Sequence, residues 1–237
     1  MLSPEKNDVD IKKLFNWNEK VTIYGVDGIE NETVYMRLIG DADWNKSRVK
    51  ALRASAELRK KLKDENSDEF LAYIPIKEQV DKDALIEMMV ILNMSDFRDE
   101  VIKNIDIPFP KEPSPDATLE DLEEYQKELD NFEEARLETI KEELTKISER
   151  EKEKLSKRSF DKLYDEYVQN LVNTLCKEEL NKVFISYSVY FGSYKDAEFT
   201  EKYFDSYETF INLPTAVKNQ FMDSYLNIDI GVYELKK

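Results

Sequence analysis

From Ala117 to Leu155 the sequence contains neither glycine nor proline. Within it Leu122, Tyr125, Leu129, Phe132, Arg136, Ile140, Leu144 and Ile147 follow one another at spacings of three and four. That spacing keeps the side chains on one face of an α-helix and predicts a single long helix over 117–155. At 1.5 Å per residue the helix would be about 58 Å long, whereas a compact chain of this size has a diameter of roughly 45 Å. Such a helix must protrude as an arm, pair with another helix in a coiled coil, or break near Ser148 or Ser156. Just before it, IPFPKEPSP (Ile107 to Pro115) holds Pro108, Pro110, Pro113 and Pro115. Proline fixes φ and removes a backbone donor, so 107–116 reads as a stiff extended linker and the boundary between domains.

On the N-terminal side, VTIYGV (Val21 to Val26) and TVYMRLIG (Thr33 to Gly40) have the β-branched and aromatic content of strands. The second alternates Val34, Met36 and Leu38 against Tyr35, Arg37 and Ile39, and Asp27-Gly28 is a turn signal between them. A lone hairpin is marginal in water, so this one is expected to pack on the helices that follow. Asp41 and Asp43 are candidate N-caps for a helix in NKSRVKALRASAELRKKLKDEN, with apolar sets Val49, Leu52, Ala56 and Ala51, Leu58, Leu62. A short helical turn around Phe70 to Ile74 ends at Pro75, and a central apolar helix is expected from Asp81 or Asp83 towards Ile105. Beyond 156 a buried helix is predicted over Phe160 to Phe191, with a switch to strand within VFISYSVYF and a break at Gly192. Two short helices follow, Ala197 to Ile211 and Thr215 to Leu226, the second started by Pro214.

The expected fold class is therefore α+β, predominantly α. A β-hairpin packs on helices over 1–106, followed by the proline-rich linker at 107–116. A long charged helix or arm covers 117–155 and an aromatic-rich helical domain 156–237.

The chain has no histidine and one cysteine, Cys176. Ser-His-Asp and Cys-His nucleophilic systems, Cys/His zinc sites and an intrachain disulfide are thereby excluded. Five glycines at 25, 28, 40, 192 and 231 form neither a dinucleotide fingerprint nor a phosphate-binding loop. Carboxylates are left as a catalytic or Mg²⁺-holding set. Asp41 and Asp43 at a strand end are the best candidates, against their simpler use as helix caps. The Glu-rich face of 117–155 reads as solvated, and Cys176 as a small core residue. No catalytic residue, cofactor or metal is assigned. The opening stretch MLSPEKNDVDIKKLF lacks the apolar segment of a signal peptide and no apolar run could span a bilayer, so the expectation is a cytoplasmic protein without a membrane partner.

Net charge is −16, which argues against general nucleic-acid binding. The charge is unevenly placed. Over 46–63, Lys46, Arg48, Lys50, Arg53, Arg59, Lys60, Lys61 and Lys63 oppose only Glu57. Three readings stay open for this basic helix: phosphate contacts with DNA or RNA, docking on an acidic protein surface, or a solvated helix neutralised by the chain's own acidic segments, 64–116 especially. Arg48, Arg53, Arg59, Lys60 and Lys63 are the candidate partner-binding residues.

Two passages carry a resemblance. VYMRLIGDADWNKSRVKALRASAELRKKLKDENSDEFLAYIP (Val34 to Pro75) resembles the strand-then-basic-helix segment of tail assembly chaperones from tailed bacteriophages. YFDSYETFINLPTAVKNQFMDSYLNID (Tyr203 to Asp229) is similar to the aromatic-rich end of such proteins. Together they cover under a third of the chain, and the segment 107–155 departs from the pattern. The resemblance implies a non-enzymatic factor, working in the host cytoplasm, that binds a tape-measure or tail-tube protein, or else another virion assembly or structural adaptor. Self-association through the helical arm is a further expectation. The alternatives are a nucleic-acid-associated protein using the basic helix and a carboxylate–metal enzyme.

Overall fold

A computed structural model describes residues 18–25, 31–114 and 116–234. The chain forms two compact units, 1–64 with 175–237, and 65–174. The boundaries thus fall at 64/65 and 174/175, and residues 107–116, expected as the domain linker, lie inside the second unit.

In the first unit β1 (Asn18–Ile23) and β2 (Glu32–Arg37) pair antiparallel with Val21 opposite Val34. The Asp27-Gly28 turn lies outside the described residues. A two-residue strand β3 (Ser193–Tyr194) adds to the other edge of β2, giving the order β1-β2-β3. Alternation sends Val34 and Met36 of β2 inward, where both are fully buried. Their neighbours come from the far end of the sequence. Val189, Phe204, Phe210, Val217, Phe221, Tyr225 and Ile228 complete the cluster with Ile23. The hairpin therefore packs on the C-terminal segment rather than on the helices that follow it, because the large aromatic side chains are there. Phe204, Phe210 and Phe221 contact one another edge-on or tilted, with centroids 5.1–6.2 Å apart.

Helix α1 (Asp41–Lys61) follows β2 directly. In the second unit come α2 (Asp68–Tyr73), capped by Ser67, a 3₁₀ turn at Lys77–Gln79, α3 (Lys82–Leu92), capped by Asp81, and α4 (Met94–Asn104). One helix was expected to run from Asp81 or Asp83 towards Ile105. Instead Asn93, at φ −93° and ψ 1°, ends α3 and opens α4, a bridge conformation that a short amide side chain tolerates well. Helix α5 (Leu119–Ser156) runs unbroken past Ser148 and is started by a reciprocal capping box between Thr118 and Asp121. The Thr118 hydroxyl, and after it the Thr118 backbone N–H, donate to the Asp121 carboxyl and hold it below its usual range. The C-terminal part of α5 packs on α3 and α4. Leu85, Ile86, Met89, Val90, Leu155, Leu163 and Tyr167 form the core of this unit. The proline-rich segment folds back on α5, with the Phe109 ring edge-on to Phe132 at 5.1 Å.

Helix α6 (Phe160–Gly192) supplies residues to both units. The expected switch to strand within VFISYSVYF does not occur. Ser186 and Ser188 donate to the carbonyls of Lys182 and Phe184 at 2.7 and 2.8 Å, so these hydroxyls are satisfied inside a helix and packing overrides strand propensity. Strand begins only after Gly192. The expected helix over 197–206 is a tight loop instead. The Asp196 carboxylate accepts the backbone N–H of Thr200 and Glu201 at 3.0 and 2.7 Å, and Phe199 adopts φ 57°. An Asp side chain that captures backbone donors competes with helix formation. Helix α7 is confined to Tyr207–Ile211, and α8 (Thr215–Glu234) is longer than expected. Among the described residues no helix is long and apolar enough to cross a membrane.

Gly192 marks where α6, β2 and α8 converge. A Cβ there would lie 2.6 Å from the Arg37 carbonyl oxygen and 2.9 Å from the Tyr225 ring. Since the first obstacle is backbone, Gly192→Ala should cost about 1–3 kcal/mol, read as an earlier midpoint in urea unfolding followed by circular dichroism. A midpoint unchanged from wild type would show that the close approach is absent.

Candidate protein-docking face

Helix α1 has acidic Asp41 and Asp43 in its first turn and Arg59, Lys60 and Lys61 in its last, as the helix dipole favours. Gly40, not an aspartate, occupies the N-cap position, and no side chain caps the helix there. Asp43 turns instead to Lys46, with its carboxylate 2.9 Å from the ammonium. Among the described residues no three His, Cys, Asp or Glu side chains are grouped so as to hold a metal ion. Asp41 and Asp43 are therefore not joined by a third carboxylate.

Which side of α1 turns inward is decided by small residues. Ser47 and Ala51 are fully buried and Ser55 is half-buried, at a spacing of four that places them in one row. Small side chains let a neighbouring backbone approach, and the Ser55 hydroxyl donates to the Cys176 carbonyl of α6 at 2.8 Å. Cys176 itself is buried. At the start of the helix Trp44 meets Phe184 edge-on at 5.8 Å, and at its end Leu62 is buried. Of the two apolar sets in the sequence, this row takes in Ala51, Leu58 and Leu62 and leaves the other outside.

The outward side consequently combines apolar and basic residues. Val49 and Leu52 keep 47% and 49% of their surface exposed, too much for core residues. Ala56, Arg53, Lys60 and Lys63 are exposed beside them. Arg48 is exposed with its guanidinium 5.3 Å from the Trp44 ring centre, Lys46 lies 5.5 Å from Phe191, and Lys50 5.9 Å from Tyr187. Lys46 and Lys50, one turn apart, hold an aromatic margin along one side of the face, and Arg48 lies over Trp44 of its own helix. Arg59 differs from the other candidates: it is half-buried and already engaged. Four of the five expected residues are thus exposed: Arg48, Arg53 and Lys60 on α1, and Lys63 in the turn just past its end.

The aromatic margin continues inward. Tyr187 stacks on Tyr207 with ring centres 3.8 Å apart and planes 4° from parallel, and Tyr190 meets Tyr207 edge-on. This margin was not singled out in the sequence, although Phe184, Tyr187 and Phe191 fall at helical spacing. Burial, and after it the neighbouring Tyr187 hydroxyl, pushes the Tyr207 phenol up to about 12. The sheet end of this unit has a comparable group: burial and then a hydrogen bond to the Glu32 carboxylate raise the Tyr203 phenol well above its usual value.

Comparison of the chain with protein-family models, with curated proteins and with solved structures returns no match. The face consists of two half-exposed aliphatic side chains framed by cations on a 21-residue helix.

Because the folded pKa of Tyr207 lies above the unfolded value of 10.0, its contribution to stability is complete below pH 10 and is lost as pH rises through about 12. Ultraviolet titration should show a phenol ionising near pH 12, and the loss of stability above pH 10 should be shallower in Tyr207→Phe. Identical profiles for the two proteins would mean that Tyr207 is not shielded.

Proposed function

We propose that the protein works by binding another protein through the outward face of α1, without catalysing a reaction. The observation that carries this reading is the exposure of Val49 and Leu52 among Arg48, Arg53, Lys60 and Lys63. Aliphatic side chains left in water on a well-formed helix gain free energy when covered, about 25 cal/mol per Å². Cations around them select a partner of opposite charge and speed its approach. The fitting partner is an acidic amphipathic helix that sets apolar side chains on Val49, Leu52 and Ala56 and carboxylates on Arg53, Lys60 and Lys63. A nucleic acid would use the cations but leave the aliphatic stripe uncovered, and the chain's net charge of −16 opposes it at longer range. Within the class of protein-binding factors, the likeness of Val34 to Pro75 and Tyr203 to Asp229 to tail assembly chaperones makes a tape-measure or tail-tube protein the first partner to try, and a role in the host cytoplasm accompanies it.

Affinity capture from the native cells tests the reading. Wild-type protein should retain a stoichiometric helical protein, whereas Arg53→Glu with Lys60→Glu should lower its recovery about tenfold or more, the scale expected for reversing two contacting charges. Equal recovery by both would remove α1 from the interface, and recovery of nucleic acid in place of protein would overturn the reading.

A further inference from the structure

Resting on that reading of α1, we infer that a second copy of this chain can occupy the face, presenting the N-terminal half of its own α5. That half is the electrostatic complement of α1. Over 119–138 the carboxylates Glu120, Asp121, Glu123, Glu124, Glu128, Asp130, Glu133, Glu134 and Glu138 oppose only Lys127 and Arg136, a net −7. Past the acidic first turn of α1 and into the turn after its end, the eight cations of 46–63 are opposed only by Glu57, a net +7. The remainder of α5, 139–156, is neutral: Lys141, Lys146, Arg150, Lys152 and Lys154 balance Glu142, Glu143, Glu149, Glu151 and Glu153. The acidic character is therefore confined to one half of the helix.

This half also carries exposed leucines. Of the 38 residues of α5 only Leu155, at the far end, is buried. Leu119, Leu122 and Leu137 remain 80%, 47% and 66% exposed. Leu119, Gln126, Asp130, Glu133 and Leu137 recur at steps of seven, four, three and four, which places them along one side of the helix, with Leu122 at its margin. All five are exposed, and the Gln126 amide donates to Asp130 at 2.9 Å. Along α1 and the turn that follows it, Val49, Leu52, Ala56, Lys60 and Lys63 recur at steps of three, four, four and three. The row that begins on α1 thus runs from aliphatic to cationic residues, the α5 row holds two carboxylates between its leucines, and the two signs are opposite. Antiparallel helix pairing would bring Leu137 onto Val49 and Leu52 while Glu133 and Asp130 meet Arg53 and Lys60. Because the two faces differ, the contact is head-to-tail and repeats into rings or open chains instead of closing as a two-fold dimer.

The full chain is tested by sedimentation velocity over a concentration series at low and high salt. Wild type should self-associate, and raising the salt from about 50 to about 500 mM should weaken association about tenfold or more, since exposed charges are screened within a few Å at the higher value. Arg53→Glu with Lys60→Glu should sediment as a monomer, and so should Asp130→Lys with Glu133→Lys. An equimolar mixture of these two variants should associate again, because each reversed face finds its complement on the other protein; a misfolded variant would not be rescued. A wild type that stays monomeric, variants that associate like wild type, or a mixture that stays monomeric would each overturn the inference. A monomeric wild type that still captures its protein through α1 overturns this inference alone. Rescued association without any captured protein upholds it and removes the broader reading.

Discussion

The contact on which the rest depends is the row of small residues, Ser47, Ala51 and Ser55, turned inward from α1. The hydroxyl of Ser55 reaches the Cys176 carbonyl of α6 at 2.8 Å, a distance that a large side chain in this row would prevent. A helix with two apolar sets can bury only one of them against a single neighbour. Here the small row selects the side with Ala51 and Leu62, so Val49, Leu52 and Ala56 share the opposite side with Arg53, Lys60 and Lys63. The outward chemistry of the helix is thus a consequence of its inward packing. Trp44 against Phe184 fixes the first turn of the same arrangement.

That arrangement rests in turn on a core assembled from both ends of the chain. β2 supplies Val34 and Met36, and the other side is built from Phe204, Phe210, Phe221 and Tyr225. Polar contacts set the register between them. The Gln220 side chain pairs with both backbone groups of Tyr24, accepting at 2.8 Å and donating at 3.0 Å, as a neighbouring strand would. The Ile39 N–H donates to the Tyr225 hydroxyl at 3.2 Å just before α1 begins. The hairpin, the base of α1 and helix α8 are thereby tied together, and the absence of a Cβ at Gly192 lets them meet.

Local periodicity made several elements legible in the sequence. The alternation of Val34 and Met36 marks β2, and the absence of breakers from Ala117 to Leu155 marks α5 to within two residues of its observed ends. What local pattern does not carry is the identity of each element's partner. The hairpin's packing on the C-terminal aromatics and the return of Phe109 to Phe132 depend on residues distant in sequence or on a proline segment that reads as free of contacts. The break at Asn93 and the loop after Asp196 were missed for a different reason: in both, a short polar side chain sits where apolar spacing still fits a helix. For the candidate face, the basic residues were legible but not their orientation. Arg59 shares their charge pattern yet is half-buried and engaged, which only the packing of α1 decides.

Thiol labelling of the dilute folded protein shows whether α1 turns its small row inward and its basic aliphatic row outward. Cys176 is the chain's one cysteine and is buried beneath the small row, so it serves as the inward reporter. Ala56→Cys supplies the outward one. The introduced thiol should react with a maleimide as fast as an exposed cysteine does, while Cys176 should be modified only once the protein is unfolded. Equal reaction of the two thiols in the folded chain, or protection of the introduced thiol in the monomer, would contradict that orientation.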